Sequence, residues 1–120
     1  MNLETYESSY WETFGECLEK YKNLTQRVET IVRRVAADPL SPQSHLLGYK
    51  KGIDLSGKRS RRFANHFCII YMVCDECIDK GFKERGVNNC YFCTGEPLKR
   101  VIFLGFGIHD DVYSRHWGVT

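Results

Sequence analysis

Four of the six cysteines fall into two matched pairs, Cys74/Cys77 and Cys90/Cys93, within the segment CDECIDKGFKERGVNNCYFC. Each pair has C-x-x-C spacing, and twelve residues separate the pairs. Two intervening residues let the backbone turn so that both sulfurs face one point. Two such knuckles supply the four tetrahedral thiolates of a zinc site. The cofactor predicted is therefore Zn2+ on Cys74, Cys77, Cys90 and Cys93. Four sulfur ligands leave no open coordination position, so the ion is expected to be structural. Redox or disulfide pairing of the same cysteines is the competing use. A thioredoxin-like role needs a single pair opening a helix, and two matched pairs disfavour it. Metal removal is expected to loosen residues 74–93 and to spare part of the core. Cys17 and Cys68 lie in apolar stretches and read as inert buried thiols.

The second chemical feature is a local concentration of positive charge. The chain has 120 residues and a formal net charge of +2. Residues 41–73 alone carry six basic side chains and one acidic one. The six are Lys50, Lys51, Lys58, Arg59, Arg61 and Arg62. Such a block attracts polyanions by Coulomb steering and counterion release. A solvated strand edge kept soluble by Lys and Arg has the same composition.

These residues need elements to position them. The length predicts one domain over residues 1–120, with 74–93 inserted in it. Plentiful aromatic and β-branched residues exclude a disordered chain. No apolar run reaches the roughly 20 residues that span a bilayer. The N-terminus lacks the basic region and apolar stretch of a secretory signal, so a cytoplasmic location is expected. From Tyr10 to Val35, apolar residues recur at steps of three and four, a helical stripe. One helix of thirty residues would run about 45 Å, too long for a small domain. A break is expected near Asn23–Thr25, with Asn or Thr capping the second helix. That helix must stop before Pro39. Residues 2–7 could form a short strand, and residues 39–57 read as a loop. Lys58–Phe63 reads as a basic strand, His66–Cys74 as a buried central strand and Arg100–Phe106 as a third. Helices first and strands afterwards predict an α+β fold: two N-terminal helices on a small antiparallel sheet.

The segment DLSGKRSRRFANHFCIIYMV, then a hairpin, then VIFLGFGIHDDVY, resembles the second half of RelE/ParE-superfamily toxins. The matching pieces are Leu55-Ser56-Gly57, Ser60-Arg61-Arg62-Phe63, Ile69-Ile70-Tyr71 and His109-Asp110-Asp111-Val112-Tyr113. The likeness spans residues 8–73 and 99–113, with the cysteine knuckles as an insertion. It implies a type II toxin whose partners are an antitoxin protein, the ribosome and mRNA, with no membrane. It implies a ribosome-dependent mRNA endoribonuclease. The ParE branch, which inhibits DNA gyrase without ribonuclease residues, is the alternative, as is a toxin homologue that only binds its antitoxin. A zinc-ribbon nucleic-acid module is a third reading.

The resemblance also suggests roles. Cleavage by 2′-hydroxyl attack needs a base, an acid and positive charge at the non-bridging oxygens. His109 is cast as acid, His45 or His66 as base, and Arg61 or Arg62 as charge stabiliser. Tyr113 matches an aromatic that stacks on a base, and Lys50, Lys51, Lys58 and Arg59 complete an RNA-binding surface. Cys68 departs from the pattern, because many active members carry an arginine there. The histidines also have plain readings, as solvated loop or strand-edge residues, and Tyr113 and Trp117 could simply pin the C-terminus to the sheet.

Overall fold

The computed structural model describes residues 5–50, 52–88 and 90–117, and only the backbone of Lys50. The elements run β1 (Glu7–Tyr10), α1 (Glu12–Lys20), a 3-10 turn (Lys22–Leu24), α2 (Thr25–Ala37), β2 (Ser44–Leu46), β3 (Tyr49–Lys50), β4 (Ile53–Asp54), β5 (Arg59–Phe63), β6 (Phe67–Val73), α3 (Cys74–Asp79), β7 (Arg100–Ile108) and α4 (His109–Val112). Five strands form one sheet in the order β1-β7-β6-β5-β2, and β3 with β4 makes a separate ribbon.

The helical stripe does what its period requires. Phe14 and Cys17 of α1 are buried, as are Val28, Ile31, Val32, Val35 and Ala36 of α2. Phe14 packs on β7, with its ring centroid 6.1 Å from that of Phe103 and 5.6 Å from that of Phe106. β6 is central and buried on both faces, which accounts for its unbroken apolar run. The Tyr71 hydroxyl, inside this core, donates to the Pro39 carbonyl at 2.8 Å. The expected break between the helices is the 3-10 turn Lys22–Leu24. The expected cap is absent: Leu24 holds the cap position of α2 without a side-chain bond, and Thr25 Oγ1 instead donates back to the Lys22 carbonyl at 2.8 Å.

The sheet is not wholly antiparallel as expected. β1 pairs in parallel with β7, from Glu7↔Arg100 to Tyr10↔Phe103. Two further helices, α3 and α4, join the two expected at the N-terminus. The segment read as a loop carries β2, β3 and β4, strands of two or three residues that are too short to show alternation. Among the described residues no helix is long and apolar enough to cross a membrane.

Candidate functional site

β5 is the element that divides the basic block. Side chains alternate along a strand, so Ser60 and Arg62 share one face while Arg59, Arg61 and Phe63 share the other. Residues directly opposite in the ladder share a face. The register sets His45 opposite Ser60 and Cys68 opposite Arg62. His45, Ser60, Arg62 and Cys68 therefore line one side of the sheet. β7 ends there in α4, which adds His109 and Tyr113. Together with Leu46, Leu47 and Gly48, these residues line a cleft of about 630 Å³.

Within the cleft, His45 and Arg62 are exposed and the His109 side chain is 40% exposed. His109 Nδ1 lies 3.3 Å from Asp110 Oδ1, a contact that orients the ring. Its ring stands edge-on to Tyr113, with centroids 4.8 Å apart. The Tyr113 hydroxyl bonds the Ser60 hydroxyl at 2.8 Å, and both residues are buried. Burial pushes the Tyr113 phenol up, more than the Ser60 bond brings it down. Cys68 sits between Tyr113 and Arg62 on the cleft floor. Burial raises its thiol above the ordinary value despite hydrogen bonds with Tyr113 and Arg62 and the latter's charge. Cys68 is thus a neutral thiol here.

Other candidates fall elsewhere. His66 is exposed at the β5–β6 turn and meets His109 only through the backbone: the His109 amide donates to the His66 carbonyl at 2.7 Å. Arg61 faces away from the cleft, and its Nη2 donates to Gln43 Oε1 at 2.7 Å. Lys58 is 0% exposed, and its Nζ donates to Asn88 Oδ1 at 3.1 Å. Burial lowers the Lys58 ammonium pKa to about 8, against the raising effect of Asp54 and Cys77. Arg59 grips the Glu76 carboxylate, with Nε at 2.8 Å from Oε2 and Nη2 at 2.6 Å from Oε1, and Nη1 donates to Ser44 Oγ. Among the described residues, the cations of the block that line the cleft thus narrow to Arg62. Lys51 and the Lys50 side chain lie outside the described residues.

Ser60 was not a sequence candidate. Its signal was its position between two arginines on a strand, which puts it on the same face as Arg62 once the strand is granted. The four knuckle cysteines form no disulfide and lie outside the cleft lining, on α3 and in the segment that returns to β7.

No protein-family model matches the chain, and no curated protein matches it. Among solved structures, the chain is similar to a chain of the RelBE2 toxin–antitoxin complex from Mycobacterium tuberculosis. The identity is 18%, the TM-score is 0.56, and the likeness covers 88% of this chain and 99% of that one. The protein therefore has a RelE-like α+β fold, in which the cysteine-bearing segment connects β6 to β7.

Proposed function

We propose that this protein is the toxin of a type II toxin–antitoxin pair and that its cleft cleaves mRNA on the ribosome. The observation that supports this reading is the cleft itself, which gathers His45, His109 and Arg62 on one sheet face. In the proposed reaction His45 takes the proton of a 2′-hydroxyl, and that oxygen attacks the adjacent phosphorus. The bond from phosphorus to the 5′ oxygen breaks, and His109 supplies the proton that the leaving oxygen needs. The products are a 2′,3′-cyclic phosphate and a free 5′-hydroxyl, so atoms and protons balance. Arg62 offsets the charge that grows on the non-bridging oxygens. It stands across the ladder from Cys68, where the resemblance calls for an arginine, and so supplies a guanidinium from the neighbouring strand. Fold likeness to a chain of a toxin–antitoxin complex supports a protein antitoxin as partner.

The experiment is tightly induced expression in a bacterium, with mRNA 5′ ends mapped before and after induction. New cuts in translated messages, lost in His109→Ala, are the expected result. A non-catalytic binder is the second reading, favoured by the burial of Tyr113, which is 8% exposed and offers little surface to a base. Growth arrest without cuts would move the assignment to gyrase or another protein target. Neither arrest nor cuts would leave a protein that only binds its antitoxin.

A further inference from the structure

The insertion between β6 and β7 takes no part in the cleft. Val73, the last residue of β6, pairs with Val101 at the start of β7, so both ends of the insertion leave the same end of the sheet. Cys74 and Cys77 lie on α3, one turn apart. Cys90 and Cys93 sit in the returning segment, where the Cys93 amide donates to the Cys90 carbonyl at 3.2 Å. All four thiols line one cavity of about 20 Å³. That volume suits a single ion.

The surroundings of the sulfurs are the second observation. Asn88 Nδ2 lies 3.6 Å from Cys77 Sγ, and the Gly95 amide donates to Cys93 Sγ at 3.2 Å. Backbone hydrogen bonds from Leu98 and Phe92 reach the Cys74 and Cys90 sulfurs. The Cys74 thiol in turn contacts the Glu96 carbonyl at 3.6 Å. Every sulfur thus has an N–H donor, the arrangement that stabilises negative charge on a metal ligand. Arg100 lines the same cavity, and its Nε is buried without a hydrogen-bond partner among the described residues. A buried donor left unpaired carries a desolvation cost, and a thiolate in the same cavity is an acceptor that would remove it.

We infer that Cys74, Cys77, Cys90 and Cys93 together hold one zinc ion in a closed four-sulfur site. Among the described residues no three His, Cys, Asp or Glu side chains already stand as a metal cluster. Binding therefore draws the sulfurs together and releases their protons to solvent. Four thiolates and one Zn2+ leave a charge of −2, which faces Arg100 and, through Asn88, the Lys58 ammonium. Asn88 carries the site to the sheet. It is 2% exposed, and its Nδ2 also donates to the Gly57 carbonyl at 3.2 Å. A Cβ at Gly57, where φ is +82°, would meet that Nδ2 at 2.7 Å. The ion thus braces the turn that leads into β5.

The test uses the full chain, expressed with zinc in the medium and purified under reductant. Elemental analysis should find one zinc per chain, lost in Cys77→Ser and Cys90→Ser and kept in Cys17→Ser. Since the serine variants could misfold, the parent is measured as well. A mercurial titration should release the zinc as four thiols react, and cobalt loaded in its place should show thiolate-to-cobalt charge transfer. Substoichiometric zinc with no such band overturns the inference. So do disulfides within the pairs of the reduced preparation, and so does iron in place of zinc. None of these readouts depends on RNA cleavage, so the metal site and the proposed toxin activity stand or fall separately.

Discussion

Arg62 lies directly across the β5–β6 ladder from Cys68, and both side chains enter the same cleft. In the proposed reaction this guanidinium faces the phosphate. Arg62→Ala should reduce the proposed mRNA cleavage by about 10²–10³, the usual cost of removing one charge-stabilising donor. Because Arg62 is exposed, the urea midpoint should hardly move. Unchanged cleavage in a folded variant would remove Arg62 from the reaction. Placing the arginine at Cys68 instead should harm the protein. That position is 2% exposed and already has Arg62 opposite it, so Cys68→Arg sets two like charges across one ladder step.

Glu76 is the partner that keeps Arg59 out of solvent. Their side chains are 2% and 11% exposed. Glu76→Gln strands a buried guanidinium and should cost about 3–5 kcal/mol in urea unfolding. Burial alone would raise the Glu76 carboxyl, but the hydrogen bonds and charges of Arg59 and Lys80 outweigh it and hold it below the ordinary 4.5. A depressed carboxyl contributes stability above its unfolded value and loses it as pH falls through the folded one. The parent should therefore weaken below about pH 4.5, and the Gln variant should show a flatter acid limb. Parallel acid limbs would refute the assignment.

Lys58 predicts the opposite slope. Its folded value near 8 lies below the ordinary 10.5, so the unfolded chain binds the proton more tightly between those limits. Stability then rises with pH across that window. The stability of the parent relative to Lys58→Met should increase from pH 7.5 to pH 9.5, by roughly 1–3 kcal/mol. Comparing the two chains cancels the cysteines, which titrate in both. A constant difference would mean that the Lys58 pKa is not depressed.

Gly105 tests the packing beneath α4. A Cβ there would run into the Trp117 ring and the Cys17 sulfur. The Trp117 ring is fixed, since its Nε1 donates to the Val112 carbonyl at 3.1 Å. Gly105→Ala should therefore destabilise by about 1–3 kcal/mol in thermal unfolding, as overpacking does. Restoration by Gly105→Ala combined with Trp117→Phe would locate the clash in the indole.

Much of the scaffold was legible because its signals are long. The helical stripe predicted both N-terminal helices and the break between them, and the runs around Ile69 and Phe103 predicted β6 and β7. The parallel pairing of β1 was not legible, since Glu-Ser-Ser-Tyr has no apolar alternation and the strand is held by backbone bonds at an edge. The basic block misled in a specific way. Composition counts Lys58 and Arg59 as surface charge, but Asn88 and Glu76, 30 and 17 residues further along, draw them inward. The choice between Arg61 and Arg62 rests on register, and a slip of one residue would exchange them. His66 stays out of the cleft for a different reason: it lies in the exposed turn before β6 begins, where strand alternation does not set its direction.

The bond from the His109 amide to the His66 carbonyl gives the β5–β6 turn an unexpected duty. Short exposed turns usually accept extra residues. This one is a strut under the first residue of α4. An inserted residue at Ala64–His66 would displace the carbonyl and carry the imidazole of His109 out of line with Arg62, with every residue of the cleft still present. The length of this turn, rather than its composition, is what holds His109 in its place.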